Sequence, residues 1–196
     1  MSDIIIPQKA DFSHSKDLLL VIDMQKVYLP GNPWACPSIE RSAGNIIRLL
    51  ESGKIPQVIF TEFSAPQSPV GVWKNYNTEY AAINEDPVMN ELLDVLKPYT
   101  ARYPLWSKSV YSSYAIAQLR ELAAAADHVV LTGVVAECCV LATAMSAIDA
   151  GNRVIYLKDA VSGFSEQNEA ETEHLLSCLS PLHTSILCTE EYLSQC

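Results

Sequence analysis

Leu18-Leu19-Leu20-Val21-Ile22-Asp23 is the stretch on which the fold turns, an unbroken apolar run closed by an acid. A strand with water on one face alternates apolar and polar side chains, whereas a strand covered on both faces is apolar throughout. The run therefore reads as a central strand of a parallel sheet. Residues 38–51 follow with apolar side chains at Ile39, Ala43, Ile46, Ile47 and Leu50, between Pro37 and Gly53, which is the spacing and punctuation of a helix.

Working outward, the same alternation continues. Residues 57–61 read as a second strand, and residues 62–80, rich in Pro, Gly, Trp and Tyr without periodicity, read as a long loop of the kind that carries function. Residues 87–96 predict a short helix and residues 113–126 a longer one opened by Ser113. A short strand is expected around Leu105 and Trp106, leading to Lys108. Residues 129–133, 153–159 and 184–188 read as strands, and residues 139–150 and 166–179 as helices, the latter with acids in its first turn. Strands alternating with helices imply a three-layer, Rossmann-like α/β domain, a mostly parallel sheet with helices on both faces. At 196 residues and 49% hydrophobic content, one domain over residues 1–196 is expected, with residues 1–16 as an N-terminal arm.

Charge and cysteine usage exclude whole classes of partner. Thirteen Lys and Arg against 23 Asp and Glu give a net charge of −10, which repels phosphate backbones and anionic lipid. Neither nucleic acid nor membrane is expected as a partner. The first residues carry no basic leader with a cleavage pattern, and no stretch is long and apolar enough for a bilayer. The six cysteines include the adjacent pair Cys138 and Cys139 but no CxxC, so reduced thiols in a cytoplasmic protein are the simplest reading.

In an open α/β sheet ligands sit beyond the carboxyl ends of the strands. Asp23 closes the first strand and Cys139 lies just past residues 129–133, so an acid and a thiol meet at one sheet edge. A thiol at a helix start feels free N–H groups and the positive end of the dipole, which favour thiolate, and Lys108 at the same edge would add to that. Taken singly, these residues leave other roles open. A buried Cys at a helix start is commonly a packing residue, an Asp at a strand end a cap, and a Lys a solvated surface charge.

Three spaced motifs narrow the choice: Leu20-Val21-Ile22-Asp23-Met24-Gln25, Lys108 followed by Ser112-Ser113-Tyr114, and the run from Thr132 to Ala144 that contains Glu137-Cys138-Cys139. Together, and in this order from about Leu18 to Glu190, they resemble the isochorismatase-like cysteine hydrolase superfamily. The resemblance implies Asp23, Lys108 and Cys139 as a catalytic triad, Cys138 as packing, a cis peptide at Val135-Ala136, and an oxyanion hole made by the backbone N–H groups of Ala136 and Cys139. It implies a small amide-like substrate cleaved at a C–N bond through a thioester, and a homo-oligomer, with the aromatic stretch 71–80 as a contact.

Departures from the family pattern carry information too. Nicotinamidases of this superfamily hold a metal through an Asp-x-His pair and a further His after the second strand. Here the segment is Thr61-Glu62-Phe63-Ser64-Ala65-Pro66, and His14, His128, His174 and His183 are scattered, as surface or loop residues are. No metal and no other cofactor is expected. Isochorismatases cleave a vinyl ether without a cysteine nucleophile, so Cys139 favours acyl chemistry over that alternative. A redox-sensing or ligand-binding thiol protein of the same fold is the other alternative. Gln25, Tyr28, Phe63, Trp73, Trp106 and Tyr111 are the candidates to line the pocket.

Overall fold

Leu18, Leu20 and Ile22 pack into one core and Leu19 and Val21 into another, so the central strand separates two hydrophobic layers. That division is why the stretch carries no polar residue before Asp23. The computed structural model describes residues 14–195; the expected arm at residues 1–13 lies outside the described residues, and His14–Lys16 forms a 3-10 turn.

In chain order the elements are β1 Leu18–Ile22, α1 Ile39–Glu51, β2 Gln57–Phe63, α2 Trp73–Glu79, α3 Ala81–Asn84, β3 Leu105–Lys108, α4 Ala117–Ala124, β4 Val129–Val134, α5 Leu141–Asp149, β5 Val154–Ser162, α6 Glu166–Ser177, β6 Thr184–Leu187 and α7 Thr189–Ser194. The six strands form one parallel sheet in the order β3-β2-β1-β4-β5-β6. Strand order reverses between β1 and β4, the switch point where the carboxyl ends of such sheets open a crevice. On one side, Ile39, Ile46 and Leu49 of α1 and Tyr192 of α7 cover Leu19, Val21, Phe60 and Ile155. On the other, Leu119 of α4, Ala144 and Ala147 of α5 and Leu176 of α6 cover Leu18, Leu20, Ile22 and Leu131. The expected three-layer α/β architecture is the one observed.

Gly133 shows how tightly the switch point is built. It pairs with Ile22 at φ +103°, and a Cβ there would sit 2.1 Å from the Ile22 carbonyl oxygen. Only glycine takes that backbone at that distance. Between β4 and β5, Leu131 faces Tyr156 but Gly133 faces Val161, so β5 bulges there and runs on to Ser162, past the expected end at residue 159. The bulge is pinned from outside: Asn45 Nδ2 donates to the Asp159 carbonyl at 2.7 Å, and the Thr189 N–H and hydroxyl donate to the Asp159 carboxylate at 2.8 Å.

Four local expectations need correction. No helix forms over residues 87–96, because that backbone pairs with the chain after β1: Lys26 N–H donates to the Glu91 carbonyl, Val27 N–H to Met89 and Leu93 N–H to Met24, each at 2.8–2.9 Å. The helix expected at residues 113–126 is split into a 3-10 turn, Ser113–Ala115, and α4, since Ile116 is extended and the Ser112 hydroxyl caps the turn. Residues 62–80 are not one loop, for β2 runs to Phe63 and α2 begins at Trp73; no α2 side chain is fully buried, so no apolar stripe marks it. Finally, α7 follows the last strand, closed by a bond from Cys188 N–H to the Glu191 carboxylate at 2.7 Å. Among the described residues no helix is long and apolar enough to cross a membrane.

Candidate active site

β1 ends by turning sharply at Asp23, whose φ of +51° lies in the left-handed region that aspartate tolerates better than most residues. The Asp23 N–H donates to the Thr61 carbonyl of the neighbouring strand at 3.0 Å. Its carboxylate, fully buried, accepts from the Thr61 hydroxyl at 2.8 Å through Oδ1 and from Lys108 Nζ at 2.6 Å through Oδ2. Lys108 closes β3 in register with Phe63 and reaches over the end of β2 to the acid. Its ammonium also donates to the Val110 carbonyl at 3.1 Å and stands 5.7 Å from the centre of the Phe63 ring. Burial works against that ammonium, yet the Asp23 carboxylate, helped by Cys139, holds the lysine above its usual pKa.

Cys139 arrives from the other side of the switch point. It sits inside a π-turn, Ala136–Val140, that joins β4 to α5, and it is 3% exposed. Its thiol is close enough to Asp23 and Lys108 for both to act on its titration, so the three expected catalytic residues converge. The Cys139 carbonyl accepts from the Thr143 hydroxyl at 2.7 Å, and the Ser113 N–H donates to that hydroxyl at 3.0 Å. This tie links the thiol segment to the turn before α4.

The expected thiolate is not what this environment supports. Burial pushes the Cys139 thiol well above the ordinary cysteine range, the Asp23 carboxylate adds to the shift, and the opposing pull of Lys108 does not overcome them. Nor is Cys139 the first residue of a helix, since the π-turn begins at Ala136. The cis peptide lies at Val134-Val135, one residue before the expected Val135-Ala136, at the end of β4. The N–H groups of Cys138 and Val140 both donate to the Val135 carbonyl, while those of Val135 and Ala136 find no backbone acceptor outside their own strand and turn among the described residues. Free donors beside the Cys139 thiol are the kind of group that could receive an oxyanion.

Around the triad the walls are aromatic. Trp73 lies 5.1 Å from Tyr76 and 5.3 Å from Tyr111 between ring centres, and Phe63 is 5.8 Å from Tyr76. Trp34 joins Tyr28 at 6.0 Å to Tyr80 at 5.5 Å. Trp73, Tyr76, Tyr80 and Tyr111 border a cavity of about 670 Å³ at the outer side of α2. Burial first, then Tyr111 and Cys139, raise the pKa of Tyr76, and burial, then Cys138 and Cys139, raise that of Tyr111, so both cavity-lining rings stand near the thiols.

Of the expected pocket residues, Tyr28, Phe63, Trp73 and Tyr111 stand in this wall. Gln25 does not line it; it is a buried clamp that donates to the Phe63 carbonyl at 3.0 Å and the Asn90 carbonyl at 2.9 Å and accepts from the Phe63 N–H at 2.9 Å. Trp106 packs into the core beneath α4, beside a separate groove with Ile116 and Gln118. The sequence reading passed over Thr61, Trp34, Tyr76 and Tyr80; a hydroxyl closing the apolar run Val58-Ile59-Phe60 was the available signal for Thr61. His128 lies in a loop, as expected of it, whereas His14 is buried. His14 and His128 are drawn to the buried Asp17 carboxylate at 3.1 and 2.8 Å, at the opposite edge of the sheet. Among the described residues no group of three or more His, Cys, Asp or Glu side chains is placed to hold a metal ion.

Residues 17–186 match the family model described as the isochorismatase domain. No curated protein sequence matches the chain. Among solved structures, a cysteine hydrolase from Pseudomonas syringae superposes with a TM-score of 0.79 at 18% identity, over 100% of this chain and 98% of that one. An isochorismatase-like hydrolase from Alkaliphilus metalliredigens gives 0.72 at 21%, over 92% and 97%. A pyrazinamidase/nicotinamidase from Streptococcus mutans gives 0.67 at 21%, over 87% and 99%. At these identities the likeness is one of fold.

Proposed function

This chain belongs to the isochorismatase-like hydrolase family, and we propose that it cleaves a C–N bond of a small amide or ureide with Cys139 as nucleophile. The observation that carries the proposal is the meeting of Asp23, Lys108 and Cys139 across the β1/β4 switch point, with the carboxylate and ammonium sealed from water.

The buried thiol starts protonated, so attack and proton loss go together: sulfur bonds to the substrate carbonyl carbon as Asp23 takes the thiol proton. Lys108, which balances the carboxylate at rest, then balances charge on the sulfur and its adduct. Free N–H groups of the Val135 to Cys139 segment receive the developing oxyanion. Protonated Asp23 gives its proton to the leaving nitrogen, the C–N bond breaks, and a thioester remains. Water, deprotonated by the same carboxylate, adds to the thioester and releases the acid and the thiol. No step calls on a metal or an organic cofactor.

A screen of amides and ureides for released ammonia tests this, with Cys139→Ala as control. Turnover that is absent from the control supports the reading. Equal turnover by the control, or hydrolysis of vinyl ethers alone, defeats it.

A further inference from the structure

Glu137 is the one charged residue of the π-turn Ala136–Val140, two positions before the thiol, and its carboxylate leaves the turn for a neighbouring element. Oε1 accepts from the Phe164 N–H at 3.1 Å and from the Asn168 side-chain amide, so one oxygen bridges the chain leaving β5 and the first turn of α6. Both donors are themselves fixed. The Ser165 hydroxyl caps α6, accepting from the Asn168 N–H at 3.1 Å and donating to the Asn168 side-chain oxygen at 2.9 Å. Glu169 accepts from the Ser162 hydroxyl at 2.9 Å and the Gly163 N–H at 3.1 Å through Oε1, and from Ser38 and Arg41 through Oε2, which holds the backbone just before Phe164.

The second oxygen of the same carboxylate is placed differently. Glu137 Oε2 is closed to solvent and has no hydrogen-bond partner among the described residues. Buried polar atoms are ordinarily paired, and a carboxylate selected for stability alone would use both oxygens. Here Oε2 lies against Gly163, where a Cβ would stand 2.6 Å from it and 3.3 Å from the Ala136 methyl. Glycine at 163 is therefore what lets the carboxylate reach its two donors. On the other side of the turn, the Cys139 carbonyl is tied through Thr143 to Ser113. The segment that carries the thiol is thus gripped from two directions, by α6 and by the turn before α4.

We propose that Glu137 is a positioning residue: through Phe164 and Asn168 it holds the π-turn, and with it the Cys139 thiol, in place beside Asp23 and Lys108, and Gly163 is the gap that admits it. Its effect on turnover rests on Cys139 as nucleophile, whereas alkylation of the thiol needs no substrate and reads the grip separately. Iodoacetamide labelling of each cysteine would be followed by peptide mapping across roughly pH 6–10 on the wild type, Glu137→Ala, Glu137→Gln and Gly163→Ala, with circular dichroism under the same conditions. In Glu137→Ala the turn is freed, so Cys139 should label at least about tenfold faster at pH 7, the size of one lost charge-assisted hydrogen bond acting on local opening. Its labelling midpoint should also fall, as burial is relieved. Gly163→Ala should do the same by pushing the carboxylate aside. Glu137→Gln, whose amide oxygen can accept the same two bonds, should stay within about threefold of the wild type. Cys178, exposed at the far end of α6, should label alike in all four. On the amide turned over fastest in the ammonia screen, Glu137→Ala should lose on the order of 10²-fold in kcat with KM within about threefold. Wild-type labelling of Cys139 in both Glu137→Ala and Gly163→Ala overturns the proposal, as does Glu137→Gln behaving like Glu137→Ala. Loss of the native circular dichroism in both Glu137→Ala and Gly163→Ala overturns it too, since the role is then one of folding, and so does an undiminished kcat in Glu137→Ala. Wild-type protein that turns over no amide defeats the nucleophile reading, and labelling alone then decides whether Glu137 holds the turn.

Discussion

Lys108 Nζ lies 2.6 Å from Asp23 Oδ2 with both side chains closed to solvent, and neither charge has another to balance it at that distance. Removing one partner of such a pair leaves a bare charge in the interior. Lys108→Met should lower unfolding free energy by about 3–5 kcal/mol, read from urea denaturation. The double variant Asp23→Asn/Lys108→Met, with no stranded charge, should be more stable than Lys108→Met. A loss below about 1 kcal/mol in the single variant would mean that water already reaches the pair.

Asp23→Asn should abolish turnover, with a fall on the order of 10²- to 10⁴-fold in rate for loss of a general acid/base. The amide oxygen can still accept from Lys108 while its NH2 donates to the Thr61 hydroxyl, so circular dichroism should be unchanged. Activity within a few-fold of wild type, on a substrate that Cys139→Ala does not turn over, would remove Asp23 from the proton path.

Alkylation by iodoacetamide should follow exposure and environment, not the nucleophile's reputation. Cys178 is exposed, Cys138 is half-buried, and Cys139 is buried with its pKa raised well above the ordinary thiol value by burial and Asp23. Peptide mapping at pH 7 should show label on Cys178 first, then Cys138, with Cys139 slow and speeding as pH rises. Rapid labelling of Cys139 at pH 7 would mean that Lys108 outweighs burial.

Asp17 supplies a pH dependence at the other end of the sheet. Burial opposes its charge, but His128, Tyr192 at 2.8 Å and His14 together bring its pKa below the ordinary aspartate value of 3.8. A carboxyl with a depressed folded pKa stabilises the fold above its unfolded pKa, and the contribution fades as pH falls through the folded pKa. Wild type should therefore exceed Asp17→Asn by about 1.5–3 kcal/mol above roughly pH 5, with the gap closing in more acid solution. A gap independent of pH between 2 and 6 on urea denaturation would assign the effect to packing.

Much of the fold was legible because β1 and β4 announce themselves: a strand covered on both faces has to be apolar throughout, and Leu18 to Ile22 and Val129 to Leu131 are. What escaped depended on partners distant in sequence. Residues 87–96 are spaced like a helix, but their backbone finds hydrogen-bond partners at residues 24–27, which no local pattern encodes. The helix at Trp73–Glu79 has no buried face to leave a periodic trace. In the site, the motifs located Asp23, Lys108 and Cys139, yet spacing carries no information on burial, which here pushes the thiol pKa up against the pull of Lys108. Trp106 and Gln25 were chosen by residue type, whereas the sheet register sends one into the core and the backbone of Phe63 and Asn90 captures the other.

Ile22 and Gly133, the residues in register just before the acid and the thiol segment, belong to strands joined by more than half the chain. Closing a loop of that length costs chain entropy before any contact returns it, and such non-local parallel pairings form slowly. The working site is thus a late product of folding. In chain order Asp23, Thr61 and Lys108 all precede β4, so it is the docking of β4 against β1 that sets the Cys139 thiol beside them.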